Sequence, residues 1–169
     1  ALDEAERGFA GLVIWQTKEP FSFGANLAAL APAVQSGRWD LVEAIVARFQ
    51  QTSLRLRYSL VPTVAAVRGM ALGGSCEFIM HCDRAVATLE SYVGLVEAGV
   101  GLLPGGGGTK EFAVRAAEAV KLGPTGGQAD HFPFLRAAFQ TIAMATVGKS
   151  ALEAKALGYL RESDLVVMH

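Results

Sequence analysis

The chain predicts an α/β fold built on a parallel sheet, on three observations. Short apolar runs have the length and β-branched content of buried strands, segments of helical period lie between them, and glycine or proline marks the changes. The runs are GLVIWQ (Gly11 to Gln16), TVAAV (Thr63 to Val67) and RAVAT (Arg84 to Thr88).

In chain order, Ala1 to Arg7 reads as the tail of a helix and Gly11 to Gln16 as the first strand. The loop TKEPFSFGAN leads into a helix-prone segment. From Trp39 the apolar positions Val42, Ile45, Phe49, Leu56 and Leu60 recur near helical spacing, with Asp40 favouring the positive end of the dipole and Pro62 setting the limit of the helix. Thr63 to Val67 is the second strand; two glycines then turn the chain into a short helix over Cys76 to His81, and Arg84 to Thr88 is the third strand. A glycine-dense segment, GLVEAGVGLLPGGGGTK, precedes a helix running from Lys110 to the Gly123-Pro124 stop. Gly126 to Pro133 reads as an irregular bridge, Ala137 to Val147 and Ala151 to Leu157 as helices, and Asp164 to Met168 as an edge strand or extended tail.

At 169 residues, 51% hydrophobic and 18% charged, the chain has enough apolar material for one core and is not of disordered composition. Fifteen basic against sixteen acidic residues leave a net charge of -1, which gives no electrostatic case for nucleic acid or an anionic membrane. Arg55, Arg57 and Arg68 are too sparse for a polybasic patch and read as a solvated face. Two cysteines, Cys76 and Cys82, flank His81 without the second pair that a zinc site needs, so no metal is expected and the thiols read as buried in a reducing compartment. With no apolar run of about 18 residues and no signal-peptide character in ALDEAERG, the expected location is the cytoplasm. The missing initiator Met suggests a fragment.

Three glycine-linked signatures are tested by spacing. GGGGTK at 105 to 110 places Thr109 before Lys110, the reverse of the phosphate-binding P-loop order. Gly99 and Gly101 are followed by a glycine one position too late for the dinucleotide fingerprint. Ser75 in GGSCE invites a nucleophile elbow, but Glu77 stands in place of its last glycine and His81, His131 and His169 lie in unpromising contexts for a base.

ALGGSCE (71–77) fits another use better. A glycine pair before a helix leaves the N–H groups of its first turn open to an anion or a developing oxyanion, with Gly74 the candidate donor; close packing of helix on strand is the competing reading. FSFGANL offers a second accessible backbone at Gly24-Ala25. Glu77 follows the glycines by one turn, and Glu97 sits among apolar and small residues, where a carboxyl group resists ionisation and suits proton transfer near neutral pH.

FSFGANL, PTVAAVRGMALGGSCEFIMHCDRAVA and YVGLVEAGVGLLPGGGGT together resemble, in order and spacing, the core motifs of the enoyl-CoA hydratase/isomerase (crotonase) family, from about Gly11 to about Val120. The later KSALEAKALGYLRESDLVVMH, with TIAMAT before it, resembles the hydratase module of bifunctional proteins that also carry a 3-hydroxyacyl-CoA dehydrogenase. The resemblance implies a crotonase-like fold of repeated β-β-α units, with a core over 1–125 that is N-terminally incomplete and a helical C-terminal extension of the same domain over 126–169. It implies backbone-amide donors at Ala25 and Gly74 for a thioester oxygen, catalytic Glu77 and Glu97, and substrate contact at Phe23, Gly24, Leu72 and Gly73. Retention of both glutamates favours enoyl-CoA hydration in fatty-acid β-oxidation over the alternatives of double-bond isomerisation or a non-catalytic acyl-CoA-binding or assembly module, with no bound cofactor, coenzyme A entering on the substrate, and NAD needed only by an attached dehydrogenase. It further implies a trimer-type homo-oligomer, and CoA-contacting strands and assembly helices outside this stretch. Phe23 and Asn26 depart from the family's usual small residue and Asp.

Overall fold

The apolar runs form strands because each can bury at least one face against the helices that separate them. In a computed structural model describing residues 1–124 and 128–168, the elements follow in order: α1 (Leu2–Gly8), β1 (Leu12–Trp15), α2 (Leu27–Gln35), α3 (Trp39–Arg57), β2 (Thr63–Val67), β3 (Met70–Leu72), α4 (Gly74–His81) and β4 (Arg84–Thr88). Then come β5 (Tyr92–Gly94), a single 3-10 turn (Glu97–Val100), α5 (Gly108–Leu122), α6 (Phe132–Ala143), β6 (Val147–Gly148), α7 (Ala151–Ala156) and β7 (Leu165–Val167). The 125/126 boundary, Gly126 and Gly127 of the expected bridge, and His169 lie outside the described residues.

The main sheet has the order β1-β2-β4-β7 and every neighbouring pair is parallel. A second sheet, β3-β5-β6, pairs β3 with β5 in parallel and β5 with β6 antiparallel. Two β-β-α units result: β2 to β3 to α4, and β4 to β5 to α5 through the 3-10 turn. In each unit the first strand joins one sheet and the second joins the other, so the following helix starts beside the second sheet. Ala65, Val67, Ala85 and Ala87 bring small inward faces against Ile79 and Met80 of α4, and Val93, Leu95, Phe112 and Tyr159 complete the core.

Several expectations need correction. The first strand is covered on one face only: Leu12 and Ile14 are half-buried while Val13 and Trp15, which alternate to the other face, are 62% and 63% exposed because no described element covers that face. Residues 70–72 are a strand rather than part of the glycine turn, and 92–94 are its partner; three-residue strands are too short to show a period, and their pairing with each other makes them. The expected helix over 137–147 begins at Phe132, where the Asp130 carboxylate accepts the Phe132 N–H and Pro133 fits the first turn, and ends at Ala143, after which Ala145 takes a positive φ of 48°. Residues beyond 126 are also more than helical, since β6 and β7 extend both sheets. Of the three arginines, Arg55 and Arg68 are exposed, as a solvated face requires, and pair at the surface with Asp3 and Glu6 and with Glu19, whereas Arg57 reaches buried Glu111.

Candidate active site

Strand β3 ends where side chains vanish. Gly73 has φ 57° and ψ -129°, a conformation open to glycine, and its N–H donates to Gly94 O at 2.9 Å. Helix α4 then begins at Gly74, and the N–H of Glu77 closes its first turn on Gly73 O at 3.1 Å.

The 21–26 loop lies directly on this helix start. Gly24 has φ 87°, and a Cβ there would fall 2.8 Å from both Gly74 N and Leu72 O. A Cβ on Gly74 would point to within 3.8 Å of Ala25 N. The Ala25 and Gly74 amides are therefore neighbours, and among the described residues neither has a hydrogen-bond acceptor. Ser75 stitches the two segments together: its buried hydroxyl lies 2.8 Å from Ser22 O and 2.7 Å from Leu72 O, and donates to that pair of carbonyls. Its proton is committed to structure, and among the described residues no histidine hydrogen-bonds to it, which argues against the nucleophile reading. Asn26 does not disturb the loop, because its side chain accepts the Ala28 N–H at 3.1 Å and caps α2.

Both candidate carboxylates approach this place. Glu77 is 2% exposed, and the run of glycines at 105–108 folds over it: Gly108 donates its N–H to Oε1 at 2.8 Å and Gly106 donates to Oε2 at 3.1 Å. A Cβ on Gly106 would lie 2.4 Å from Glu77 Oε2 and 2.0 Å from the Phe49 ring, so only glycine lets the chain approach so closely. Gln50 holds the same turn to α3 through a 2.7 Å bond from Nε2 to Gly105 O. Burial pushes the Glu77 carboxyl up to about 7; the Gly108 amide resists this, and the charge of Glu97 adds to it.

Glu97 opens the 3-10 turn, half-buried, with Oε1 3.3 Å from where a Gly73 Cβ would be. Its Oε2 is buried and has no partner among the described residues. Burial raises its carboxyl above the ordinary range. The site thus pairs an anion-ready carboxylate held by two amides with a carboxyl group that has one free oxygen, beside two open N–H donors. Such a set can stabilise an oxyanion and move protons on a neighbouring carbon.

The remaining expected residues divide. Gly24, Leu72 and Gly73 form the backbone around the open amides, whereas the Phe23 ring is 64% exposed and lines a surface groove of about 430 Å3 with Glu19, Pro20, Met70 and Tyr92. His81 is buried with Nδ1 2.6 Å from Glu77 O, which requires Nδ1 to carry the hydrogen, and Cys76 and Cys82 are free and buried.

Sequence reasoning missed Gly106, Gly108 and Phe49. The signal for the glycines was present: four in a row at a helix start supply unpaired N–H groups, and a buried Glu supplies the anion. Phe49 read only as a core position of α3; its ring stacks on Phe78, with centroids 4.6 Å apart and planes 9° apart, and packs between Gly74 and Gly106.

Residues 1–121 match the family model described as "Enoyl-CoA hydratase/isomerase". A Bacillus subtilis protein named "Probable 3-hydroxyacyl-CoA dehydrogenase" is 41% identical over 167 residues, covering 98% of this chain and 20% of that protein. A Mycobacterium bovis protein named "Probable enoyl-CoA hydratase" is 34% identical over 121 residues, covering 70% of this chain and 45% of its own length. The chain thus spans less than half of either relative. Among solved structures, an enoyl-CoA hydratase from Bacillus anthracis superposes with a TM-score of 0.73 at 23% identity, covering 99% of this chain and 56% of the other. At that identity the likeness speaks to the fold, which is of the crotonase type.

Proposed function

Since this chain belongs to the enoyl-CoA hydratase/isomerase family, we propose that its site adds water to a trans-2-enoyl-CoA. The observation that carries this reading is the two carboxyl groups of raised pKa, Glu77 and Glu97, set beside the open Ala25 and Gly74 amides. In the proposed reaction the thioester oxygen accepts both N–H groups. Glu77, as carboxylate, takes a proton from water while the water oxygen bonds to the β-carbon. The π pair of the double bond moves into the thioester as an enolate, which the two amides stabilise; losing one such donor costs about 3 kcal/mol. Glu97, protonated, then gives its proton to the α-carbon as the carbonyl re-forms. The product is a 3-hydroxyacyl-CoA, and return of one proton from Glu77 to Glu97 by way of solvent resets the site.

Hydrogen bonding supports the proposed division of roles. Amide donors hold the anionic form of Glu77, whereas the free, desolvated Oε2 of Glu97 suits the neutral acid. The addition is redox-neutral and draws on no group beyond the coenzyme A of the substrate. The product is the substrate class of a 3-hydroxyacyl-CoA dehydrogenase, the name of the Bacillus subtilis relative, and oxidation with NAD on an attached domain is the proposed next step.

One observation favours double-bond isomerisation instead. Both Glu77 oxygens already accept an amide, which leaves Glu97 Oε2 as the unpartnered carboxyl oxygen, and a single carboxylate suffices to move a proton between two carbons. Product analysis separates the readings. With trans-2-enoyl-CoA, hydration gives a 3-hydroxyacyl-CoA and loss of the conjugated thioester absorbance; with a 3-enoyl-CoA, isomerisation gives a gain. Turnover of the 3-enoyl substrate alone overturns the hydratase proposal.

A further inference from the structure

The proposed chemistry leaves one buried carboxylate unused. Glu111, the fourth residue of α5, has no exposed side-chain surface, yet groups from four parts of the chain surround it. Lys110 Nζ stands 2.8 Å from Oε1 on the same helix, and Arg57 Nη1 stands 3.2 Å from Oε2 on α3. Arg161 Nη2, ahead of β7, is 3.7 Å from Oε2, and His81 Nε2 at the end of α4 is 3.6 Å from Oε1. Burial opposes ionisation of Glu111, but the Lys110 hydrogen bond and the surrounding positive charges hold its carboxyl below the ordinary range. Burial holds His81 below its ordinary value, so the ring is neutral: Nδ1–H donates to Glu77 O, and Nε2 accepts from Lys110 Nζ at 3.0 Å. Arg115, one turn further along α5, is engaged elsewhere, donating to the carbonyls of Met80, Gly158 and Tyr159.

A buried ionic cluster is a weak stabiliser compared with apolar packing, but it fixes geometry, because each charge has few places to go. What this one fixes is the clamp on Glu77. Lys110 and Glu111 stand in the first turn of α5, directly after the Gly106 and Gly108 amides that hold that carboxylate, and the Glu111 N–H itself closes on Gly107 O at 2.9 Å. On the facing helix His81 ties the Glu77 carbonyl to the same Lys110. The backbone that carries Glu77 and the amides that grip its side chain are thus joined through one cluster.

We propose that Glu111 is a positioning residue: it pins the first turn of α5 against α3 and α4 so that the glycine amides keep their grip on Glu77, without itself touching the acyl group. The inference rests on the proposed use of Glu77 as base. Loosening the cluster withdraws donors that favour the Glu77 anion, so the midpoint of the activity limb governed by Glu77 rises.

The test compares the pH dependence of kcat/KM in the natural full-length polypeptide for wild type, Glu111→Gln and Lys110→Met, alongside a 13C NMR titration of the Glu77 carboxyl that needs no turnover. Expected are a fall in kcat on the order of tenfold to a hundredfold for Glu111→Gln, a midpoint raised by about one unit, and a KM for enoyl-CoA within about twofold of wild type, since Ala25 and Gly74 sit on other elements. A role in folding alone lowers the active fraction and leaves the midpoint where it was. A pure charge effect, with cations freed near Glu77, lowers the midpoint. Either result overturns the proposal. Lys110→Met alters a half-exposed side chain, so it remains informative if Glu111→Gln does not fold; a smaller upward shift is expected, and its absence also overturns the proposal. An NMR midpoint that rises while no substrate turns over would leave the clamp standing and refute the hydratase reading alone.

Discussion

Glu77 and Gly108, 31 residues apart, meet at 2.8 Å, with the Gly108 N–H donating to the carboxylate. The start of α5 thus serves as the solvent of a carboxylate that burial has otherwise stripped of water. Its dipole and free amides replace hydration for the anion, while the dry surroundings keep the proton affinity near neutrality.

Gly106→Ala should break this arrangement. The added methyl would overlap the Phe49 ring at 2.0 Å and approach Glu77 Oε2 at 2.4 Å, and the opposing backbone and ring are packed. A stability loss of about 1–3 kcal/mol and a kcat reduced by about a hundredfold are expected, read from denaturant unfolding and from hydration of crotonyl-CoA. Wild-type activity in this variant would mean that the glycine turn does not shape the site.

Glu77 also predicts how stability depends on pH. Its carboxyl titrates at about 7 in the fold against 4.5 ordinarily, so between those values the folded chain keeps a proton that the unfolded chain has released. The resulting stabilisation is complete below about 4.5 and is lost as pH rises through about 7. Glu77→Gln removes the ionisation, so its melting temperature relative to wild type should climb between pH 5 and pH 8. A flat or falling difference contradicts the burial of an ionisable Glu77.

Ser75→Ala removes the hydroxyl that bridges Ser22 O and Leu72 O. Ser22 O keeps the Leu72 N–H at 3.0 Å, so losing the hydroxyl should cost only about 0.5–1.5 kcal/mol, and it should lower kcat through displacement of the Ala25 amide. An acylating probe should leave Ser75 unmodified in the wild type. Labelling at Ser75, found by peptide mass analysis, is the outcome at odds with its structural role.

Phe49→Ala tests the dryness of the site. Its ring packs against Gly74 and Gly106 and stacks on Phe78. Water entering the space should lower the Glu77 midpoint, moving the acid limb of kcat/KM to lower pH, because desolvation is the largest cause of the raised value. An unshifted limb would assign the raised value to other neighbours.

The main strands were legible because TVAAV and RAVAT lie in the middle of a parallel sheet with one face buried and the other partly covered, where a near-continuous apolar run is the expected pattern. Strands β3 and β5 were not, because three residues carry no period and their partner lies about 20 residues away. Glu77, Glu97 and Gly74 could be picked out because glycines before a helix and carboxyls among apolar residues are local signals. The grip of Gly106 and Gly108 on Glu77 is a contact across two helices, 29 and 31 residues apart in the chain, and nothing beside the glycine run names its partner. Phe23 is placed by its motif only, and its ring turns to a surface groove, a direction that no local pattern gives.

In the proposed hydration, two carboxyl groups each handle one proton. The most direct measurement is the rate of absorbance loss from crotonyl-CoA by wild type, Glu77→Gln and Glu97→Gln in the full-length polypeptide, with acyl-CoA binding measured in parallel. The account predicts that each variant loses at least about a hundredfold in kcat, the range of a single general acid or base, while binding persists. A Glu77→Gln enzyme that hydrates at the wild-type rate would contradict it.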